Sequence, residues 1–151
     1  MRPQSIVNFE RVVILNVLLG IVGSWLNWDK MMAVQRAQLT AQGQTKAIAM
    51  LPTLTLTIAV VFIFVWLLLV WLIARKGSVV AKWIYVVVAA LTLLGAVVAI
   101  ARGTVAAYGT LPMVFAIVGH LLTIVALWLL FRPDSKAWFS EGRAADPADF
   151  R

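Results

Sequence analysis

Four long apolar stretches constrain the fold more than any other feature of the sequence. Each is close to the ~20 residues that cross the ~30 Å hydrocarbon core of a bilayer. They cover residues 9–28, 54–74, 83–101 and 111–131. Because the backbone finds no water at that depth, each stretch is expected to form a helix. The sequence therefore predicts an all-α membrane protein, an antiparallel four-helix transmembrane bundle formed by residues 1–139.

The composition supports this class and excludes much chemistry. Of the 151 residues, 63% are apolar and 13% are charged, whereas soluble domains average ~45–50% and ~25%. The chain has no cysteine, which excludes disulfides, thiolate metal sites and thiol nucleophiles. A single histidine, His120, excludes any site that needs two imidazoles. We expect no enzymatic activity, no metal and no cofactor.

The placement of lysine and arginine predicts the orientation. With four spans, both termini and the second loop lie on one side of the membrane. That side carries nine of these residues, and the opposite side carries four. The positive-inside rule then places both termini in the cytoplasm. The first span could instead be a signal peptide, but the bulky residues 24–28 favour an uncleaved helix, and cleavage would not change the orientation of the other spans.

The connections differ in length. Residues 29–52 form the longest loop, which the charge rule places on the side of the membrane opposite the termini. Asp29 could cap a short helix there that ends near Gly43. Pro52 is expected at the start of the second span, where a missing N–H costs least. Pro133 is expected to stop the fourth helix, and residues 140–151 are predicted to be a disordered cytoplasmic tail.

Basic residues flank the second, third and fourth spans on the cytoplasmic side. This lipid-headgroup rim consists of Arg75, Lys76, Lys82, Arg132 and Lys136. Such residues contribute ~1 kcal/mol each when they contact anionic lipid headgroups, although the same cluster also serves as the topology signal. Because the net charge of +7 is divided among helix ends, nucleic acid is not an expected partner.

Two short motifs accompany the four spans. The first is the pair Trp28-Asp29 after the first helix, and the second is Leu-Phe-Arg-Pro-x-Ser-x-Ala-Trp-Phe at residues 130–139. In this layout the chain resembles a group of small bacterial inner-membrane proteins of unknown function. The resemblance implies a multi-pass protein of the bacterial inner (plasma) membrane, and it implies no activity and no residue roles.

Polar residues within the spans are the candidate functional site. Asn16, Thr92, His120 and Thr123 fall at similar depths on three helices and could form a midplane polar belt. One interpretation makes His120 a proton-relay or ligand-binding group. The other has a neutral His120 bonded to Asn16, Thr92 or a backbone carbonyl, as a contact between helices. The absence of an intramembrane carboxylate favours the structural interpretation.

These features predict a non-enzymatic integral membrane protein that acts as an accessory subunit or a self-associating scaffold. Such a protein is expected to form a homo-oligomer or to belong to a larger membrane complex. The alternative is a small oligomeric transporter or channel that uses the polar belt around His120. Lipid bilayer and anionic headgroups are the expected partners in either case. A solute, a bound lipid and a bound pigment are all left open.

Overall fold

The computed structural model describes residues 2–103 and 108–144, and this part of the chain folds into six helices with no strand. The helices are α1 (Gln4–Leu26), α2 (Trp28–Ala41), α3 (Thr45–Lys76), α4 (Val79–Ala101), α5 (Thr110–Leu130) and α6 (Pro133–Ala144). Of these, α1, α3, α4 and α5 are long and apolar enough to cross a membrane. The predicted all-α fold with four long apolar helices is confirmed.

Helix α3 is longer than the second span predicted for it. It contains 32 residues and begins at Thr45, so Pro52 lies inside the helix rather than at its start. The residues before Pro52 include alanine, methionine and leucine, which are strong helix formers and extend the helix ahead of the proline. At 1.5 Å per residue α3 is about 48 Å long, which exceeds the hydrocarbon thickness. Its first turns therefore project beyond the core and pack beside α2, which occupies the region where a short helix was predicted.

The connection between α3 and α4 consists of two residues. Gly77 adopts a left-handed conformation with φ 61° and ends α3. Ser78 caps α4, because its hydroxyl accepts a hydrogen bond from the backbone N–H of Ala81 at 3.2 Å. This tight turn forces the two helices to start their contact at the same end of the bundle.

The buried core lies at one end of the bundle, which we call the closed end. It contains the start of α1, the end of α3, the start of α4, the end of α5 and α6. Its centre is aromatic, since the ring of Tyr85 lies 5.2 Å from that of Phe9 and 4.8 Å from that of Trp66. The buried apolar side chains of this core are Ile6, Phe9, Val13, Trp66, Leu69, Val70, Ile73, Ala74, Ala81, Tyr85, Ala89, Ala126, Leu129, Leu130 and Phe139.

Helix α6 folds back against the closed end. The fully buried hydroxyl of Ser135 donates to the carbonyl of Leu129 and lies 2.7 Å from the hydroxyl of Ser5. The indole of Trp138 donates to the carbonyl of Ile73 at 3.0 Å. Pro133 starts this helix as well as following the previous one, as its fixed φ allows. Residues 140–144 are therefore helical rather than disordered as predicted, and residues 145–151 lie outside the described residues.

Candidate functional site: a cavity at the open end

The opposite half of the bundle, which we call the open end, contains two adjoining cavities. They have volumes of about 370 Å³ and 510 Å³, within the ~300–1,000 Å³ typical of small-molecule sites. They share a wall of mostly small or polar residues. The residues that line both cavities are Asn16, Gly20, Ser24, Met31, Thr92 and Thr123.

The residues on the inward face of α1 explain why the bundle opens. Phe9 and Val13 are buried in the core, whereas Asn16, Gly20 and Ser24 continue the same face towards the open end. Spacings of three and four residues keep all five residues on one side of the helix. The side chains become smaller and more polar along this face. The helices that meet tightly around Phe9 are therefore left with unfilled space around Gly20.

The smaller cavity is the polar chamber. Besides the shared wall, Asn27, Tyr108 and His120 contribute polar groups to it. Lys30 is the only formally charged side chain among the described residues that line it. Its Nζ is 3.6 Å from the ideal Cβ position of Gly109, so the Lys30 side chain on α2 extends to the residue before α5. The polar chamber can therefore offer hydrogen-bond donors and one positive charge.

The larger cavity is the apolar chamber. Trp25 and Trp28 line it on the side of α1 and α2, and Leu56, Phe62 and Trp66 line it on the side of α3. Trp66 also belongs to the aromatic cluster at the closed end. The inner end of this chamber is therefore formed by the packed core.

All four residues of the predicted polar belt line the polar chamber. The Nδ2 of Asn16 donates to the Oγ1 of Thr123 at 3.1 Å, and Thr123 donates to the carbonyl of Gly119 within α5. Thr92 donates to the carbonyl of Val88 in its own helix. The belt thus contains one hydrogen bond between helices, from Asn16 to Thr123, and Thr92 and His120 line the same chamber.

The structural interpretation of His120 predicted a hydrogen bond between helices. Within residues 2–103 and 108–144 its half-buried imidazole makes no hydrogen bond to Asn16, Thr92 or a backbone carbonyl. The polar contact between helices is instead made by Asn16 and Thr123. The imidazole of His120 is left facing the cavity.

Glycines bring α1 and α5 into close contact beside the cavity. A Cβ on Gly119 would lie 3.1 Å from the Oδ1 of Asn16, and a Cβ on Gly23 would lie 3.1 Å from the ring of Phe115. Gly20, in contrast, has no heavy atom within 4 Å of its ideal Cβ position. The α1–α5 contact is therefore tight, and the space beside Gly20 is available to another molecule.

Sequence reasoning missed part of this site. Asn27, Lys30 and Tyr108 line the polar chamber, but they lie at or beyond the ends of the spans. No spacing in the sequence indicates that α2 turns back over the bundle. The small residues on the inward face of α1 were the available signal, and they indicate close packing as readily as a cavity.

The predicted basic rim divides into paired and unpaired residues. Arg75 approaches Glu10 at 3.5 Å, where Arg2 also binds the same carboxylate at 2.7 Å. Arg132 lies 3.7 Å from Asp134. The three lysines of the rim, Lys76, Lys82 and Lys136, form no ion pair among the described residues. The rim is therefore two arginine–carboxylate clusters and a set of unpaired lysines.

Known proteins give no further assignment. Comparison of the chain with protein-family models, with curated proteins and with solved structures finds no match. Among the described residues, no group of three or more histidine, cysteine, aspartate or glutamate side chains could hold a metal ion. The cavity can bind a ligand through hydrogen bonds, one ammonium group and apolar contact.

Proposed function

We propose that the protein is a non-enzymatic integral membrane protein of the bacterial inner membrane that binds an amphiphilic molecule in its open end, as an accessory component of that membrane. The observation that carries the proposal is the pair of adjoining cavities, one polar and one apolar, that share the wall around Gly20 and Thr92. A ligand with a polar head and an apolar body matches both surroundings at once.

The membrane environment supports an occupant for this space. Helices in lipid associate through packing and polar contacts, with no hydrophobic driving force between them. The open end has few packed side chains, because Ile21, Leu56 and Phe62 are each about half exposed. A cavity of this size forfeits dispersion contacts when nothing fills it. An acyl chain or a similar apolar group restores them.

Filling the cavity tests the proposal. Gly20→Leu adds a side chain where no atom lies within 4 Å, so it should occupy the shared wall without a clash. Gly95→Leu is the matched control, because Gly95 also faces open space but lines neither cavity. Native mass spectrometry of protein extracted in a mild detergent should show a co-purified amphiphile on the wild type and on the Gly95 variant, and its loss from the Gly20 variant. The proposal would be contradicted if the Gly20 variant kept the amphiphile, or if the wild type carried none.

The second candidate is a small oligomeric transporter or channel. It is favoured by the imidazole of His120, which makes no hydrogen bond within the described part of the chain and lines the polar chamber beside Asn16 and Thr123. The packed aromatic core around Tyr85 closes the inner end, so transport would require that core to open. In proteoliposomes, a pH-dependent flux that His120→Ala abolishes while the fold is retained would favour the transporter over the binding protein.

The role of accessory subunit or self-associating scaffold has its own measurement. The outward faces of α3 and α4 are broadly apolar, with Phe64 and Leu91 more than 60% exposed. Either lipid or a neighbouring subunit can cover such faces in a membrane. The mass of the complex in native detergent should exceed that of one chain if the protein works as a subunit. A monomer without partners would leave ligand binding as the whole of the proposal.

A further inference from the structure

Lys82 is an unusual lysine, because it is buried at the closed end and forms no ion pair with a carboxylate among the described side chains. Only 8% of the residue is exposed. Its ammonium lies 4.6 Å from the ring centre of Phe131 and 4.5 Å from that of Phe139, so it is held between two aromatic faces. Cation–π contacts of this kind stabilise the positive charge. Among the described residues, the N–H donors of the ammonium have no hydrogen-bond acceptor.

The two carboxylates described at the closed end are engaged elsewhere. Glu10 binds Arg2 and Arg75, and Asp134 accepts the backbone N–H of Ser5 and faces Arg132. Among the described residues the only fully buried polar side-chain atom without a hydrogen bond is the hydroxyl of Tyr85. The ammonium of Lys82 is therefore not fully buried, and an external acceptor can approach its exposed part.

Further positive charge surrounds this position. Lys136 lies on α6 one turn from Phe139 and acts electrostatically on Lys82. Lys82 is also in the first turns of α4, whose N-terminus carries the positive end of the helix dipole. Side chains in a helix lean towards its N-terminus, so the lysine points towards this same positive end. The surroundings favour a compact anion and disfavour a zwitterion with a cationic head.

Exposed aromatic rings place this position at headgroup depth. Trp83 is 53% exposed, Phe131 is 44% exposed, and their ring centres are 6.1 Å apart. Aromatic side chains of membrane proteins concentrate at the level of the headgroups. Next to them the exposed apolar faces of α4 and α5 continue towards the open end, as at Val87 and Ile124. A lipid can thus place its phosphate at Lys82 and its chains along these faces.

We infer that Lys82 and Lys136 bind the phosphate of an anionic phospholipid at the closed end of the bundle. This phosphate site is separate from the cavity at the open end, and it does not depend on the ligand proposed there. It also selects two residues from the predicted rim, because Arg75 and Arg132 are already paired with carboxylates.

The test uses native mass spectrometry of the full-length protein in detergent, titrated with phosphatidylglycerol and, in parallel, with phosphatidylcholine. The wild type should bind phosphatidylglycerol in preference to phosphatidylcholine. Lys82→Gln and Lys136→Gln should each weaken phosphatidylglycerol binding about fivefold, the equivalent of ~1 kcal/mol for each lysine. Lys76→Gln removes the same charge from an exposed lysine that lies over Trp71, and it should change binding by less than about twofold.

Each remaining outcome also decides the inference. Equal losses in all three variants would indicate diffuse surface attraction and would overturn it. Equal binding of the two lipids would overturn the requirement for an anion. Displacement of the lipid by a large excess of inorganic phosphate would overturn the assignment to a lipid. Because Lys136 is exposed, its variant should keep the fold and decides the result even if Lys82→Gln does not fold.

Discussion

Replacing Tyr85 with phenylalanine is expected to stabilise the bundle. Tyr85 is fully buried, and its hydroxyl has no hydrogen-bond partner among the described residues. Its ring contacts those of Phe9 and Trp66, and phenylalanine keeps both contacts. The substitution therefore removes an unsatisfied polar atom and little else.

The size of the effect depends on both the folded and the unfolded state. Burial of a hydroxyl without a hydrogen bond costs ~1–3 kcal/mol. In separated helices Tyr85 lies six residues after Val79, the first residue of α4, a distance of about 9 Å along the helix. From there its hydroxyl can reach interfacial water. The unsatisfied hydroxyl therefore destabilises only the folded state. Because polar contacts in membrane proteins have energies at the low end of this range, we expect Tyr85→Phe to raise the free energy of unfolding by about 1 kcal/mol.

Unfolding by SDS in mixed micelles, followed by tryptophan fluorescence, measures this difference. A gain of about 1 kcal/mol corresponds to about a fivefold larger folding equilibrium constant. Tyr108→Phe is the control, because Tyr108 is the other tyrosine of the chain and its half-buried side chain lines the open cavity. A loss of stability in Tyr85→Phe would show that the hydroxyl has a partner, and the reasoning would be refuted.

Three further changes probe the contacts between helices. Gly119→Val places a branched side chain where the Oδ1 of Asn16 is already 3.1 Å from the Cβ position, and it should cost about 1–3 kcal/mol in SDS unfolding. Trp138→Phe removes a 3.0 Å hydrogen bond to a carbonyl of α3, and it should raise amide exchange in α6 by an amount equivalent to ~0.5–1.5 kcal/mol. Hydrogen bonding by Ser5 lowers the pKa of Asp134 below its ordinary 3.8. The stabilisation from Asp134 is therefore complete above that ordinary value and is lost as the pH falls through the lowered pKa, and Asp134→Asn should remove this part of the acid dependence of unfolding.

The existence of the four membrane helices could be predicted from the sequence because it depends on local composition. An apolar run of about twenty residues has one stable conformation in hydrocarbon. The ends of the helices were less predictable. The start of α3 at Thr45 and the helical residues 140–144 depend on contacts with α2 and with the closed end. Such contacts join residues that are far apart in the chain, and hydropathy contains no information about them.

The sequence predicted the depth of the candidate residues in the membrane but not the contacts among them. Asn16, Thr92, His120 and Thr123 share a level in the membrane because each lies near the middle of a span, and all four line one chamber. Which of them bond to one another depends on the rotation of each helix about its axis. The rotation that pairs Asn16 with Thr123 is set by the close approach of α1 to Gly119. That His120 makes no hydrogen bond to the described residues could not be predicted from spacing.

The division of the bundle into a closed and an open end follows from the size of the side chains along the inward faces. On α1, Phe9 and Val13 give way to Gly20, and on α4 the buried Tyr85 is followed two turns later by Thr92. Helix association in lipid depends on packing, so large side chains at the open end would give a more stable bundle of the same topology. The inward faces of α1 and α4 instead carry small and polar residues there, and Lys30 lines the polar chamber. The helices are therefore closely packed at one end of the bundle only. This arrangement supports the proposed binding of an amphiphile, because the closed end can hold the helices in place while the open end accommodates the ligand.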